Sequence, residues 1–414
     1  MNEPMRSLEK AQQDVLAAVA LLPETRVAVW EATGLGLAAP VVAPHDVPPF
    51  TNSAMDGYAV LGSDVGSAPV ELQLLEDVPA GHVARQEVRA GAAIKIMTGA
   101  PLPDGADTVV KVEDTEPMPD AVRILAATPT GMAVRPAGGD LKTGDLVFEA
   151  GERLTPPHLA VLASLGISPT VHRRPVVAVL SPGDEVLSPE TTRLGPGQIR
   201  DTNRPLLQAM LDELGAQVLD LGIVGDDEYL LRDALERGAA EADMILTSGG
   251  VSMGEYDLVK IVLRRLGTIE FWKVAMKPAK PFAFGHVEGT PLLGLPGNPV
   301  SVMVAFEQFA RPALLQMMGC RSIFRARSVA KAAEKWRTDP AKVVFTRVVC
   351  EAEGGVTWCR SSGGQSSNVL SALARADAFA VIPVGTGRVE IGDPVDIEWF
   401  RSPETRTAAE VLHG

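Results

Sequence analysis

The stretch VVAVLSPGDE, residues 176–185, decides how the middle of this chain folds. Val176 to Leu180 is an unbroken apolar run, and Ser181-Pro182-Gly183-Asp184-Glu185 is a polar turn. A run that is apolar at every position suits a strand buried on both faces, because a half-exposed strand alternates. The next segments keep this grammar. Pro205 to Leu214 is helical and stops at Gly215, and Gln217 to Val224 reads as a strand. Glu228 to Ala240 is a helix, Met244 to Thr247 a strand, and Leu258 to Leu266 a helix ending at Gly267. Alternating buried strands and helices predict a doubly wound, mostly parallel sheet.

Outward from this unit the texture changes. Ser7 to Leu22 is an amphipathic helix with Ser7 as its cap and Pro23 as its stop. From Val27 to about Val147, short β-rich runs such as Tyr58-Ala59-Val60, Ala93 to Met97 and Thr108 to Val112 are broken by Gly and Pro. Thr155 to Leu165 is a helix with Pro156 and Pro157 in its first turn. After a helix over Pro299 to Met318, the tail from about Arg327 to Phe400 returns to β patterning and predicts a separate small β domain. At roughly 150 residues per domain, a chain of 414 residues is expected to form about three domains.

Lys plus Arg number 38 against 52 Asp plus Glu, a net charge of -14. That field disfavours nucleic acid and anionic lipid, so an anion site must come from locally clustered cations or oriented N–H groups. Cys320, Cys350 and Cys359 form no C-x-x-C pair, and the histidines offer no H-x-x-x-H spacing. A disulfide framework and a Cys/His zinc site are therefore not expected, and a reducing cytosol fits. The short apolar run Val15 to Leu22 lacks the layout of a signal peptide, and no stretch approaches the ~18 apolar residues of a membrane span. A soluble cytoplasmic protein is expected.

In an open α/β sheet, ligands bind beyond the carboxyl ends of the strands. Glu185, Asp226 and Asp257 each follow a strand, the last after Ser248-Gly249-Gly250. Three carboxylates at one edge suit Mg²⁺, although Asp and Glu also serve there as helix caps and turn residues. Gly249-Gly250 allows close backbone approach to a ligand, as it would in any tight turn. No G-x-x-x-x-G-K-[ST] is present, and Gly34 to Ala39 matches G-x-G-x-x-A without the helix that a dinucleotide site requires.

Lys273, Lys277 and Lys280 form the sharpest local cation cluster. Lys277 and Lys280 each precede a proline, so extended or polyproline II geometry is expected, which would place both on one side facing an anion. Pro296-Gly297-Asn298-Pro299-Val300-Ser301 ends a β-run and opens a helix, with Asn298 as cap and the Ser301 hydroxyl near free N–H groups. It is either an anion pocket or an ordinary loop-to-helix junction. Asn52 to Tyr58, Thr98 to Pro101 and Arg135 to Asp140 read, by propensity alone, as turns.

In this order the segments resemble the molybdopterin molybdenumtransferase family, comprising the bacterial MoeA proteins and the matching domain of gephyrin. The resemblance runs from Pro48 to Phe400. It rests on PPFTNSAMDGYAV (48–60), IMTGAPLPDGADTVV (96–110), SPGDE (181–185), GQIRDTN (197–203), LTSGGVSMGEYD (246–257), FWKVAMKPAKPFAFG (271–285) and LPGNPVS (295–301).

The resemblance implies a multidomain α/β plus β protein. A helical domain would comprise 1–44 and 141–173, with an inserted β-rich domain at 45–140. The molybdopterin-binding α/β domain would span 174–322, and a small C-terminal β-barrel-like domain 323–414. It further implies an elongated, cytoplasmic homodimer that joins molybdate to adenylylated molybdopterin, releasing AMP, with Mg²⁺. Its partners would be the molybdopterin adenylyltransferase and acceptor molybdoenzymes. Asp56, Thr98, Asp140, Glu185, Asp226, Asp257, Lys273 and Lys277 match the family's catalytic positions, with Glu185, Asp226 and Asp257 as the metal set. Ser248, Gly249, Gly250, Pro296, Gly297, Asn298 and Pro299 would contact substrate. Lys280, Pro281 and Ser301 would line a molybdate pocket, closed by Arg347 and a serine within Ser361 to Ser367. Asp56 and Thr98 lie far in sequence from Glu185, which implies a site shared between protomers.

Two positions depart from the family pattern. Pro182 stands before Gly183, removing an N–H or hydroxyl contact. Ala279 stands where K-P-G-K-P has glycine, so the loop is expected to be extended there. The alternatives are a non-catalytic molybdopterin carrier, against which the intact carboxylates and lysines stand, and an adenylyltransferase, which the added β domains disfavour.

Overall fold

The computed structural model describes residues 5–79, 81–250 and 258–401. The run at 176 forms the strand Val176–Pro182, buried almost throughout. It lies inside a six-stranded sheet ordered Gln217–Val224, Val176–Pro182, Met244–Ser248, Thr290–Leu295, Pro281–Val287 and Gly267–Lys273. Only Pro281–Val287 runs against the others. Its reversal into Thr290–Leu295 is made by Glu288 and Gly289, at φ 49 and 91. Two consecutive positive φ values make the tight hairpin turn whose twist matches its strands.

The helix Asn203–Leu214 and the helical run from Pro299 to Met317 cover one face of the sheet, within the largest core. The helices Glu228–Glu241 and Leu258–Leu266 cover the other. Gly215, at φ 87, ends Asn203–Leu214 in the left-handed conformation that glycine adopts at little cost. The single helix expected over Pro299 to Met318 contains a widened π turn at Phe306–Ala310. Pro312 explains it: proline has no N–H for the carbonyl of Gln308 four residues back. That carbonyl accepts instead from Nε2 of Gln12, 3.2 Å away on the N-terminal helix.

Ser7 caps that helix, Leu8–Ala17, by accepting from the Lys10 N–H at 3.1 Å. It ends short of Leu22, because Val19 and Leu22 are buried in an extended run whose Leu22 N–H donates to Met317 O at 2.8 Å. A second helix, Pro156–Ser164, starts at Thr155 as its sequence suggests.

Between these helices lies a β-rich insertion. Its six-stranded sheet is ordered Thr108–Lys111, Gly57–Val60, Ala92–Ile96, Val70–Val78, Ala121–Ile124 and Thr115–Pro117. Short ladders, Val41–Val42 with Leu146–Phe148 and Asn52–Ser53 with Val134–Arg135, tie its two entering chains together. The C-terminal strands Arg327–Ala332, Val343–Glu353, Val356–Ser361, Ala378–Ile382 and Pro394–Trp399 close into a small barrel, since Val343–Glu353 pairs with both its neighbours in the ring. Met276–Lys277 from the α/β unit adds to Val343–Glu353, joining the two domains through backbone pairing. Among the described residues, no helix is long and apolar enough to cross a membrane.

Candidate active site

The sheet register brings most of the chemistry to one end. Pro182, Val224, Ser248 and Leu295 all lie at the carboxyl edge of parallel strands, and Lys273 sits opposite Pro281 at the same edge. There the Ser181 and Ser248 hydroxyls are 2.9 Å apart, and the Gly249 N–H donates to Leu295 O at 2.9 Å. Gly250, at φ 69, leaves no room for a side chain: a Cβ there would lie 2.5 Å from Val259 Cβ.

The loops after the first two strands are joined where the Asp226 N–H donates to Asp184 Oδ1 at 2.9 Å. Asp227 is spent as the cap of Glu228–Glu241. Glu185 and Asp226 remain exposed, with no side-chain partner among the described residues. Two free carboxylates on neighbouring loops at the carboxyl edge of the sheet suit Mg²⁺, which binds through one or two carboxylates and completes its shell with water or phosphate. Asp257 lies outside the described residues, among which no group of three acidic, His or Cys side chains gathers.

The lysine loop folds differently from its expected form. Ala279 is not extended but lies at φ 70, in the left-handed region, and is buried. The loop must double back from Gly267–Lys273 into the antiparallel Pro281–Val287, and the Val274 N–H to Lys280 O bond of 2.8 Å closes it. A polyproline II segment would have run on past the sheet. Lys277 and Lys280 still line one cleft, brought there by the turn and not by threefold helical repeat.

This cleft, of about 750 Å³, lies between the lysine loop, the Pro296–Ser301 turn and the barrel. Pro281, Pro296, Asn298 and Ser301 line it. Pro299 opens the helix Pro299–Ala305, but the Asn298 side chain does not cap it; its Nδ2 donates to Ser367 Oγ of the barrel at 3.0 Å. Gly297 is held by Asn203, whose Nδ2 donates to its carbonyl at 2.7 Å.

The barrel wall adds Ser366 and Ser367, within the serine run expected to close the pocket, and also Lys335, Arg337, Lys342 and Gln365, which the sequence reading missed. The available signal was three cations within eight residues of an acidic chain, at 335–342. Lys342 pairs with Asp339 at 2.5 Å, and this bond holds the Asp339 carboxyl below its ordinary range. Arg347 does not line the cleft. It is fully buried behind the 361–367 loop, donating through Nη2 to Gly364 O at 2.6 Å and Ser366 O at 3.2 Å. Among the described residues its Nε and Nη1 have no partner, and burial pulls its pKa down.

On the insertion, Asp56 and Thr98 meet. The Thr98 N–H and hydroxyl donate to Asp56 Oδ1 at 2.7 and 2.8 Å, which lowers the Asp56 pKa. Asp140 lies at the stem, its N–H donating to Val47 O.

Three family models cover the chain: "MoeA N-terminal region (domain I and II)" over residues 6–166, "Probable molybdopterin binding domain" over 178–316, and "MoeA C-terminal region (domain IV)" over 329–400. A Haemophilus influenzae protein called molybdopterin molybdenumtransferase is 36% identical over 96% of this chain and 99% of its own length. The Mycobacterium tuberculosis molybdopterin molybdenumtransferase 2 is 38% identical over 95% of this chain and 99% of its own. A crystal structure of the molybdopterin biosynthesis MoeA protein from Pyrococcus horikoshii superposes with a TM-score of 0.75 at 31% identity, covering 96% of this chain and all of that one. With every domain matched in order and full-length relatives above 30% identity, this chain belongs to the MoeA family.

Proposed function

We propose that this chain is a cytoplasmic molybdopterin molybdenumtransferase, which joins molybdate to adenylylated molybdopterin and releases AMP. The observation that carries the reading is the cationic cleft: Lys277, Lys280 and Ser301 face one space in a chain of net charge -14. Ammonium groups and a hydroxyl placed there offset the charge of an incoming oxyanion, and a fixed site needs no reorganisation during the reaction. Glu185 and Asp226, with Asp257, would hold Mg²⁺, which supplies positive charge to phosphoryl oxygens. Lys273, at the end of the edge strand that leads into the lysine loop, would add its charge toward the same anions.

Asp56, Thr98 and Asp140 sit on the insertion, and we place them in the site of a second protomer of a homodimer. The Thr98 bonds keep the Asp56 carboxylate ionised and aimed, as a group that orients a nucleophile or water must be. Arg347 acts by holding the serine loop against the cleft.

The test is AMP release from adenylylated molybdopterin with Mg²⁺, with and without molybdate. Molybdate-dependent release with formation of active cofactor is expected. Tight pterin binding with no release would instead identify a carrier.

A further inference from the structure

The cleft is larger than one tetrahedral oxyanion needs; about 750 Å³ is the size of a site for a whole small-molecule ligand. Its cations also fall into two groups, Lys277 and Lys280 on the α/β wall and Lys335, Arg337 and Lys342 on the barrel wall. On the short strand Trp336–Arg337, side chains alternate: Trp336 is buried, while Lys335 and Arg337 emerge together on the other face. Arg337 lies directly opposite Arg388 across the two-stranded ladder. Like charges directly opposite destabilise a sheet. Glu390 pairs with both Arg388 and Lys335, leaving Arg337 with no partner among the described residues. An unpaired arginine facing a cleft beside a second arginine is poorly explained by stability alone.

We propose that Arg337, with Lys335 beside it, is a second anion subsite that binds the phosphoryl groups of the pterin substrate, separate from the oxyanion site at Lys277 and Lys280. This rests on the transferase reading. A guanidinium offers paired N–H donors that match phosphate oxygens, whereas the lysines of the other wall are point charges suited to a compact oxyanion. One ligand end is thereby held on each wall, and backbone pairing of Met276–Lys277 with Val343–Glu353 keeps the walls at a set separation.

The experiment measures binding of two probes, inorganic pyrophosphate and molybdate, to the full chain by calorimetry. Arg337→Ala should weaken pyrophosphate by about tenfold or more and molybdate by less than about twofold, as expected for loss of a charge-assisted bond at one subsite only. Lys277→Ala should show the reverse, and Arg337→Lys should restore part of the pyrophosphate affinity. Arg337 is exposed, so unchanged thermal unfolding is expected and excludes misfolding. Unaltered pyrophosphate binding in Arg337→Ala, or equal weakening of both probes, would overturn the subsite. AMP release by that variant with an unchanged KM for adenylylated pterin would do the same while leaving the transferase intact. Arg337-dependent pyrophosphate binding in a wild-type protein that never releases AMP would keep the subsite and reject the transferase.

Discussion

At Ala279 one methyl group occupies a backbone conformation that L residues avoid at a cost of about 1–3 kcal/mol. Ala279→Val adds β-branching there in a buried turn and should lower stability by about 1–2 kcal/mol, read by chemical denaturation. Ala279→Gly relieves the backbone but loses roughly 0.8 kcal/mol of methyl burial, so it should remain within about 1 kcal/mol of wild type. An equally harmful Gly would mean that the turn is held by the methyl contact and not opposed by φ. Two residues earlier, Lys277→Ala should raise the KM for molybdate by about 10-fold or more, the loss of one hydrogen bond to a charged group. Pterin affinity should change far less. Equal loss of both would remove Lys277 as the oxyanion ligand.

Among elements, the barrel strands Val343–Glu353 and Val356–Ser361 set Cys350 opposite Cys359. The Cys350 N–H donates to Asp377 and the Cys359 carbonyl accepts from Ala333, so both point away from the shared ladder. The thiols thus form a non-hydrogen-bonded pair, the closer kind in an antiparallel sheet. Burial pushes each from 9.0 up to about 12. Both should resist thiol reagents at pH 8 until the protein unfolds. Because the folded state holds these protons more tightly, stability should fall as pH rises from about 9 toward 12, less steeply in a Cys350→Ala, Cys359→Ala double variant. On the π turn, buried Glu307 receives Nε and Nη2 of Arg325 at 3.0 and 2.9 Å, with Arg311 at 3.8 Å. Glu307→Ala should cost about 3 kcal/mol in denaturant unfolding, the low end for breaking a buried pair because Arg325 is partly exposed. A near-neutral result would mean that water satisfies the arginines.

For the whole molecule, the decisive question is whether the insertion of one protomer completes the site of another. Mixing Asp56→Ala and Lys277→Ala proteins, with subunit exchange and molybdate held well below the raised KM of the latter, should in the proposed homodimer recover about a quarter of the wild-type rate, since half the dimers are mixed and each carries one intact site. No recovery despite confirmed exchange would place both residues in one protomer's site. Both variants should keep the wild-type mass in solution, since Asp56 and Lys277 are exposed.

The alternation of strands and helices from Val176 to Leu266 was legible in the sequence because buried parallel strands need unbroken apolar runs, and Val176 to Leu180 and Met244 to Thr247 supply them. The helix end at Gly215, the cap at Ser7 and the helix start marked by Pro156 and Pro157 were legible from local signals. The lysines, the serine of the Pro296–Ser301 turn and the sheet-edge carboxylates announced themselves by residue type and position after a strand. Tertiary structure alone decided the conformation of Ala279, since an antiparallel return strand overrides one residue's φ preference. It also decided that Asn298 reaches the barrel instead of capping its helix, that Arg347 lies behind a loop, and that Lys335 and Arg337 face Lys277. These are meetings between segments tens of residues apart, set by strand register and domain packing, and no local pattern in a chain encodes which distant wall a side chain will face.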